Sequence, residues 1–358
     1  MSSQDFYTVK RALQIFGSSL SAATLEKQIC KTIPEFSRNS EGRKLKSWSN
    51  HEIGLVGEQI GFLKKPKSPQ AISIFVTKGG VLKTSLTLNL ARLAALHNIK
   101  TCVIGLDMQS DITENLSDST TDENSDFESA LQQINSVQGL AQVFEGSVQL
   151  SDTILGTDLP ALKYIPETPE LVALDQSLIN KNRREYWLKE NVVDPLKKDF
   201  DLIIMDCSPN WNRLITNALV ASDLLISPVE CKINNFRNLK VFRALMQEFK
   251  EEMRKELKHA FVPTKYSASR KLSHEIYQWY IEHLPNCIKT PMRECISGEE
   301  AAAMKLSLPE FHSTSDAALE MRSILQNIFL NFENHEVTSR ARTTTHAKTP
   351  RTNGDWLR

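Results

Sequence analysis

One run of residues limits this chain's fold more than any other: Phe75-Val76-Thr77-Lys78-Gly79-Gly80-Val81-Leu82-Lys83-Thr84-Ser85. An apolar run, Ala71 to Val76, leads into it. An apolar-periodic segment, Leu86 to Leu96, leads out. That order predicts a strand, a tight glycine turn and a helix. A Gly-Gly turn at a helix N-terminus lets backbone N–H groups converge beside the positive end of the helix dipole, and phosphate binds there. Lys83 supplies a cation for terminal phosphates and Thr84 a hydroxyl for Mg²⁺. The stretch therefore reads as a nucleoside triphosphate site.

Further segments fit the same architecture. Val103-Ile104-Gly105-Leu106-Asp107 is an apolar strand ending in an acid, with a polar loop after it. Phe200 to Pro209 reads as a buried parallel strand, because such strands are continuously apolar. Asp206 stands at its carboxyl end, where open α/β sheets bind ligands. Ile215 to Asp223 predicts a helix, and Leu224 to Val229 the strand after it. Phe261-Val262-Pro263-Thr264 closes another strand, and Arg270 to Leu284 is helix-like.

The glycine loop departs from the ordinary pattern G-x-x-x-x-G-K-[ST], since Thr77 and Leu82 stand where the framing glycines belong. With Lys78 ahead of the glycine pair, it resembles the deviant Walker A box, K-G-G-x-x-K-[ST], of the ParA/MinD partition and positioning ATPases. Asp107 to Asp111 resembles that family's D-P-Q-G-N segment, with Asp107 and Gln109 retained and Met108, Ser110 and Asp111 substituted. The strand ending at Asp206 resembles Walker B. Ile215 to Asp223 resembles the T-x-N-A-L-x-A-x-D helix. Thr290-Pro291-Met292-Arg293 and Glu300-Ala301 echo the I-P-R and E-A positions. The likeness spans about residues 71 to 332.

The resemblance implies an α/β fold, a P-loop NTPase-like and mostly parallel sheet flanked by helices. It implies an ATPase that uses ATP and Mg²⁺. Lys78, Gly79, Gly80, Val81, Leu82, Lys83, Thr84 and Ser85 would hold the nucleotide. Thr84, Asp206 and Asp107 would serve the metal. Lys83 and Asp107 would serve hydrolysis, Asp107 by positioning the attacking water. Lys78 is the signature lysine, which in this family reaches the other protomer's ATP. Two triphosphates at one interface repel, and a cation placed in trans offsets that by ~4 kcal/mol for a unit pair at ~4 Å and an effective dielectric near 20. Asn217 and Thr264 are candidates for the adenine pocket, although helix capping and core hydrogen bonds explain them equally well. Lys78 also fits a solvated loop lysine, and Asp107 a helix cap. Asp223 reads as structural. Leu82 puts a side chain in the tight loop beside phosphate, which is consistent with slow turnover.

Residues 1–62 read as a separate unit. Tyr7 to Leu13 and Ser21 to Ile29 are helix-like, with a turn at Gly17 between them. Helix, glycine turn, helix is the arrangement that lays a recognition helix in the DNA major groove. Ser37 to Trp48 and Ser49 to Ile53 resemble the wing of MerR-like winged helix-turn-helix domains. A small helical dimerisation cap is the alternative. Residues 63–70 read as a linker, 71–335 as the ATPase domain and 336–358 as a disordered basic tail. Residues 117–125 read as a mobile acidic loop.

The formal net charge is zero, so affinity for DNA must come from local patches. The six scattered cysteines form no C-x-x-C pair and read as free thiols of a reducing compartment. No signal peptide, membrane span or membrane-anchoring tail is expected. The expected role is a partition ATPase of plasmid or chromosome. It would form an ATP-sandwich dimer, bind DNA non-specifically, respond to a ParB-like partner and bind its own operator. The expected location is the cytoplasm, on the nucleoid. The alternatives are an ATP-sensing transcriptional regulator with little hydrolysis, and a protein-positioning ATPase.

Overall fold

Alternating apolar strands and helices build one eight-stranded sheet with helices on both faces. The computed structural model describes residues 6–33, 47–109, 111–117 and 137–333. In the sheet the strands are β3 (Gln70–Ile74), β4 (Thr101–Leu106), β5 (Leu155–Gly156), β6 (Leu162–Ile165), β7 (Leu202–Cys207), β8 (Leu224–Glu230), β9 (Lys258–Tyr266) and β10 (Met292–Arg293). Their order is β10-β9-β8-β3-β7-β4-β6-β5. All neighbours are parallel except β5 and β6, which are antiparallel. This is the expected α/β architecture with a mostly parallel sheet.

Two apolar clusters cover the two faces of the sheet, because successive side chains point to opposite sides. Ile72, Ile74, Val103, Leu202 and Ile204 join the first cluster. Ala71, Phe75, Cys102, Ile104, Ile203 and Met205 join the second. The first is roofed by α4 (Lys83–Leu96) and by α13 (Asp316–Glu333), and the second by α8 (Arg213–Ala221), α9 (Asn235–Glu252) and α10 (Lys271–His283). Further helices among the described residues include α5 (Asp111–Leu116), α6 (Leu140–Glu145), α7 (Leu171–Ser177), α11 (Ile296–Ala303) and α12 (Leu308–Phe311). A further helical stretch occupies 184–196. Among the described residues, no helix is long and apolar enough to cross a membrane. Cys102, Cys207 and Cys231 are buried free thiols.

The N-terminal elements are β1 (Phe6–Thr8), α1 (Val9–Ile15), α2 (Ala22–Thr32), β2 (Ser47–Ser49) and α3 (Asn50–Ile60). Ser21 caps α2 by accepting the Thr24 N–H. Ser49 caps α3 in a box with Glu52. β1 and β2 pair antiparallel, Tyr7 opposite Trp48. Of the predicted wing, residues 37–46 lie outside the described residues, as do the acidic loop after Ser117 and the basic tail; Ser47 to Ile53 form β2 and the start of α3.

These elements share a core with the sheet. Tyr7, Ile15, Phe16, Leu25, Ile29, Trp48 and Ile53 belong to the same cluster as Leu86 to Leu96 of α4 and Met321, Ile324 and Ile328 of α13. Gly57 lets α3 lie directly on the end of α4: a Cβ there would stand 1.9 Å from the Leu96 carbonyl oxygen. Polar contacts reinforce the seam. Tyr7 Oη donates to Glu310 Oε1 at 2.9 Å. Arg322 Nη1 donates to the Gln14 carbonyl at 3.0 Å.

Candidate functional site

The loop between β3 and α4 turns twice through left-handed backbone, at Gly80 (φ 67°) and Leu82 (φ 69°). A Cβ added to Gly79 or Gly80 would meet nothing within 4 Å, so the loop stands beside open space. Leu82 holds a conformation that costs a residue with a Cβ ~1–2 kcal/mol. Its side chain packs against the first apolar cluster. The backbone thus keeps the shape a glycine would give, while the leucine serves the core.

Lys83 is buried, with a 3.3 Å contact from Nζ to the Lys78 carbonyl. Among the described residues it makes no ion pair. Burial pushes its pKa down, and the nearby carboxylates of Asp206, Asp107 and Asp111 oppose this. A buried cation needs a counter-charge, and the open loop beside Lys83 has room for an anion. Thr84 Oγ1 donates to Asp206 Oδ2 at 2.9 Å, and Thr87 Oγ1 to Asp206 Oδ1 at 2.8 Å. Burial pushes the Asp206 carboxyl up to about 6, against the pull of these hydroxyls and of Lys83. Asp107 follows β4, and its Oδ1 accepts the Gln109 N–H at 3.3 Å. Lys83, Thr84, Asp107 and Asp206 therefore converge at the carboxyl edge of the sheet.

Lys78 is held within its own chain. Its Nζ lies 2.5 Å from Glu230 Oε2, at the end of β8. Lys232 Nζ binds the other oxygen at 2.7 Å. Burial opposes ionisation of Glu230, but the bonds from Lys232 and Lys78 hold its carboxyl below the usual range. Thr264 stands beside Glu230 in the β8–β9 register. Its buried hydroxyl finds no partner among the described residues. Asn217 lies elsewhere, on α8, and its amide is committed to the protein. Oδ1 accepts the Leu188 N–H at 3.0 Å, and Nδ2 donates to the Arg213 carbonyl at 2.9 Å.

Two further carboxyls stand at this edge outside the motifs of the sequence, Glu230 and Glu167. Glu167 stands two residues beyond β6 and is buried. Burial, and then the charge of Asp206, push its pKa up to about 8. The available signal was an acid just past a strand, the feature that marked Asp107. The brevity of β6 hid it.

A family model described as an AAA domain matches residues 69–259, more than half of the chain. The chain is 25% identical over 208 residues to the chromosome partitioning protein ParA of Myxococcus xanthus (strain DK1622), covering 58% of this chain and 69% of that protein. It is 28% identical over 253 residues to the cell division protein PomZ of the same organism, covering 70% and 75%. In fold it is similar to a putative plasmid partition protein from Borrelia burgdorferi B31 bound to AMPPNP, with a TM-score of 0.59, 21% identity, and coverage of 74% of this chain and 100% of that one. The deviant glycine loop, the acids at the carboxyl edge and these likenesses agree: the chain belongs to the ParA family of partition ATPases.

Proposed function

We propose that the chain is a DNA-partition ATPase that dimerises around ATP. One observation carries this reading: buried Lys83, without an ion pair among the described residues, lies beside an open Gly79-Gly80 loop and the Thr84–Asp206 hydrogen bond. In this reading, the loop from Lys78 to Ser85 and the Lys83 ammonium bind the phosphates. Thr84 ligates Mg²⁺ directly and Asp206 holds it through water, as suits a cation that keeps several waters and binds phosphate oxygens. The metal, when bound, neutralises charge on the transferring phosphoryl group. Asp107 orients the attacking water. Thr264, whose hydroxyl has no partner among the described residues, is the stronger candidate for contact with the base, and Asn217 the weaker.

Lys78 exchanges Glu230 for the third phosphate of a second subunit's nucleotide. Dimerisation then depends on ATP, and hydrolysis releases it. The dimer binds DNA through phosphate contacts, with steep salt dependence. A ParB-like partner stimulates hydrolysis. The N-terminal unit binds an operator, and the protein resides in the cytoplasm on the nucleoid. The second reading is a protein-positioning ATPase, supported by the similarity to PomZ.

Phosphate release, measured with Mg²⁺ and ATP and with DNA and the partner added in turn, tests the proposal. Release should rise several-fold with both additions. Asp107→Ala should abolish it while ATP-driven dimerisation persists. Normal ATP binding with no release under any condition would favour a nucleotide-sensing regulator instead.

A further inference from the structure

We infer that Glu167 is a positioning residue that fixes the segment carrying Asp107; the inference rests on the ATPase reading above. The geometry is specific. Glu167 Oε1 accepts the Asp107 N–H at 3.3 Å. Oε2 accepts the Thr113 N–H at 3.2 Å and the Thr113 hydroxyl at 3.1 Å. The Glu167 N–H in turn donates to Thr113 Oγ1 at 2.7 Å. One carboxyl therefore ties the first residue of the polar loop, Asp107, to the first turn of α5.

The neighbouring strand is built to admit it. Cys102, Val103, Ile104 and Leu106 of β4 are all buried and apolar, and Gly105 interrupts them. A Cβ at Gly105 would lie 2.2 Å from Glu167 Cγ and 2.6 Å from its Cδ. The glycine leaves the space the carboxyl occupies. An apolar residue would fill that space without the cost of burying a polar group. The carboxyl instead satisfies two backbone donors, one of which belongs to Asp107. Losing it leaves both donors without their acceptor, and a displacement of ~1 Å in a reacting geometry can slow a reaction ~100-fold. Nucleotide affinity rests on a different element, the loop before α4.

The test compares the full-length chain with Glu167→Ala, Glu167→Gln, Gly105→Ala and the double variant Gly105→Ala/Glu167→Ala. It reads turnover at saturating Mg–ATP, the Kd for ATP, and hydrogen exchange of the amides at 107 and 113. Glu167→Ala should slow turnover at least tenfold, leave Kd within threefold, and speed exchange at both amides at least tenfold. Glu167→Gln should recover part of the turnover, since its amide oxygen still accepts a bond. Gly105→Ala should resemble Glu167→Ala, and the double variant should be no slower than Glu167→Ala alone, because the truncation makes room for the added methyl. Turnover within twofold of wild type, or equal losses of turnover and affinity, would overturn the inference. If Glu167→Ala does not fold, Glu167→Gln and Gly105→Ala carry the same comparison. A wild-type chain that turns over no ATP would end the ATPase reading; unchanged exchange at 107 and 113 would then overturn the role of Glu167 separately.

Discussion

Single residues set the chemistry of the glycine loop. Leu82 adopts the left-handed backbone that glycine favours, yet its half-buried side chain packs against the core. Leu82→Gly should therefore change stability by less than ~1 kcal/mol, because relief of strain and loss of packing offset each other. Leu82→Ile should lower stability by ~1–2 kcal/mol, since a β-branched side chain fits that backbone poorly; urea unfolding checks both variants. Lys78 is restrained by Glu230. Glu230→Gln weakens that restraint and should raise the dimer fraction at subsaturating ATP, as read by analytical ultracentrifugation. Gly79, Lys83, Thr84 and Asp206 were legible in the sequence because each lies in a local motif. Glu230 was not, because its link to Lys78 spans 152 residues. Glu167 was hidden likewise, its partners lying 54 and 60 residues away.

At the scale of elements, α4 does more than present Lys83. Every residue from Leu86 to Leu96 is buried, because the sheet covers one side of the helix and the N-terminal elements and α13 cover the other. Its one buried guanidinium, Arg92, makes paired bonds to Glu310 and to Asp158, all at 2.8–2.9 Å. Burial works against the charge on Glu310, but Arg92 holds that carboxyl down to about 2. Tyr7 and Asn50 bond to the same two acids. Removing one member of a buried pair costs ~3–5 kcal/mol, because it strands a charge. Arg92→Leu should lower the unfolding free energy by about that amount in urea titrations and loosen the N-terminal unit first. The periodicity of Leu86 to Leu96 made the helix legible. It did not reveal the second packing face, because the polar residues Thr87, Asn89 and Arg92 suit a solvent-facing side, yet all three are buried.

For the whole molecule, the N-terminal unit and the ATPase core meet across a continuous apolar seam rather than a bare linker. The lysines and prolines of residues 64–69 read as a linker because composition reports solvation and not contacts. In space Leu63 is buried, and the Phe62 N–H donates to His97 Nε2 at 3.0 Å. His97 also meets the rings of Phe16 and Phe62 edge-on. Burial pushes its pKa down to about 4. An unfolded histidine titrates near ~6.5, so the unfolded chain takes up this proton first as pH falls. The stability tied to neutral His97 is thus fully present above about 6.5 and lost progressively toward 4, a total of ~3 kcal/mol. Urea unfolding at pH 7, 5.5 and 4.5 should show this decline, and His97→Gln should flatten it. A slope unchanged in the variant would remove His97 from the seam's energetics.

In the proposed cycle, association is gated by nucleotide and Lys78 acts across the interface. Light scattering of the purified chain with Mg²⁺ and either ADP or a slowly hydrolysed ATP analogue measures this directly. The molar mass should double with the analogue, stay at that of the single chain with ADP, and fail to double in Lys78→Ala. Equal masses with both nucleotides, or a Lys78→Ala variant that doubles as readily as wild type, would contradict it.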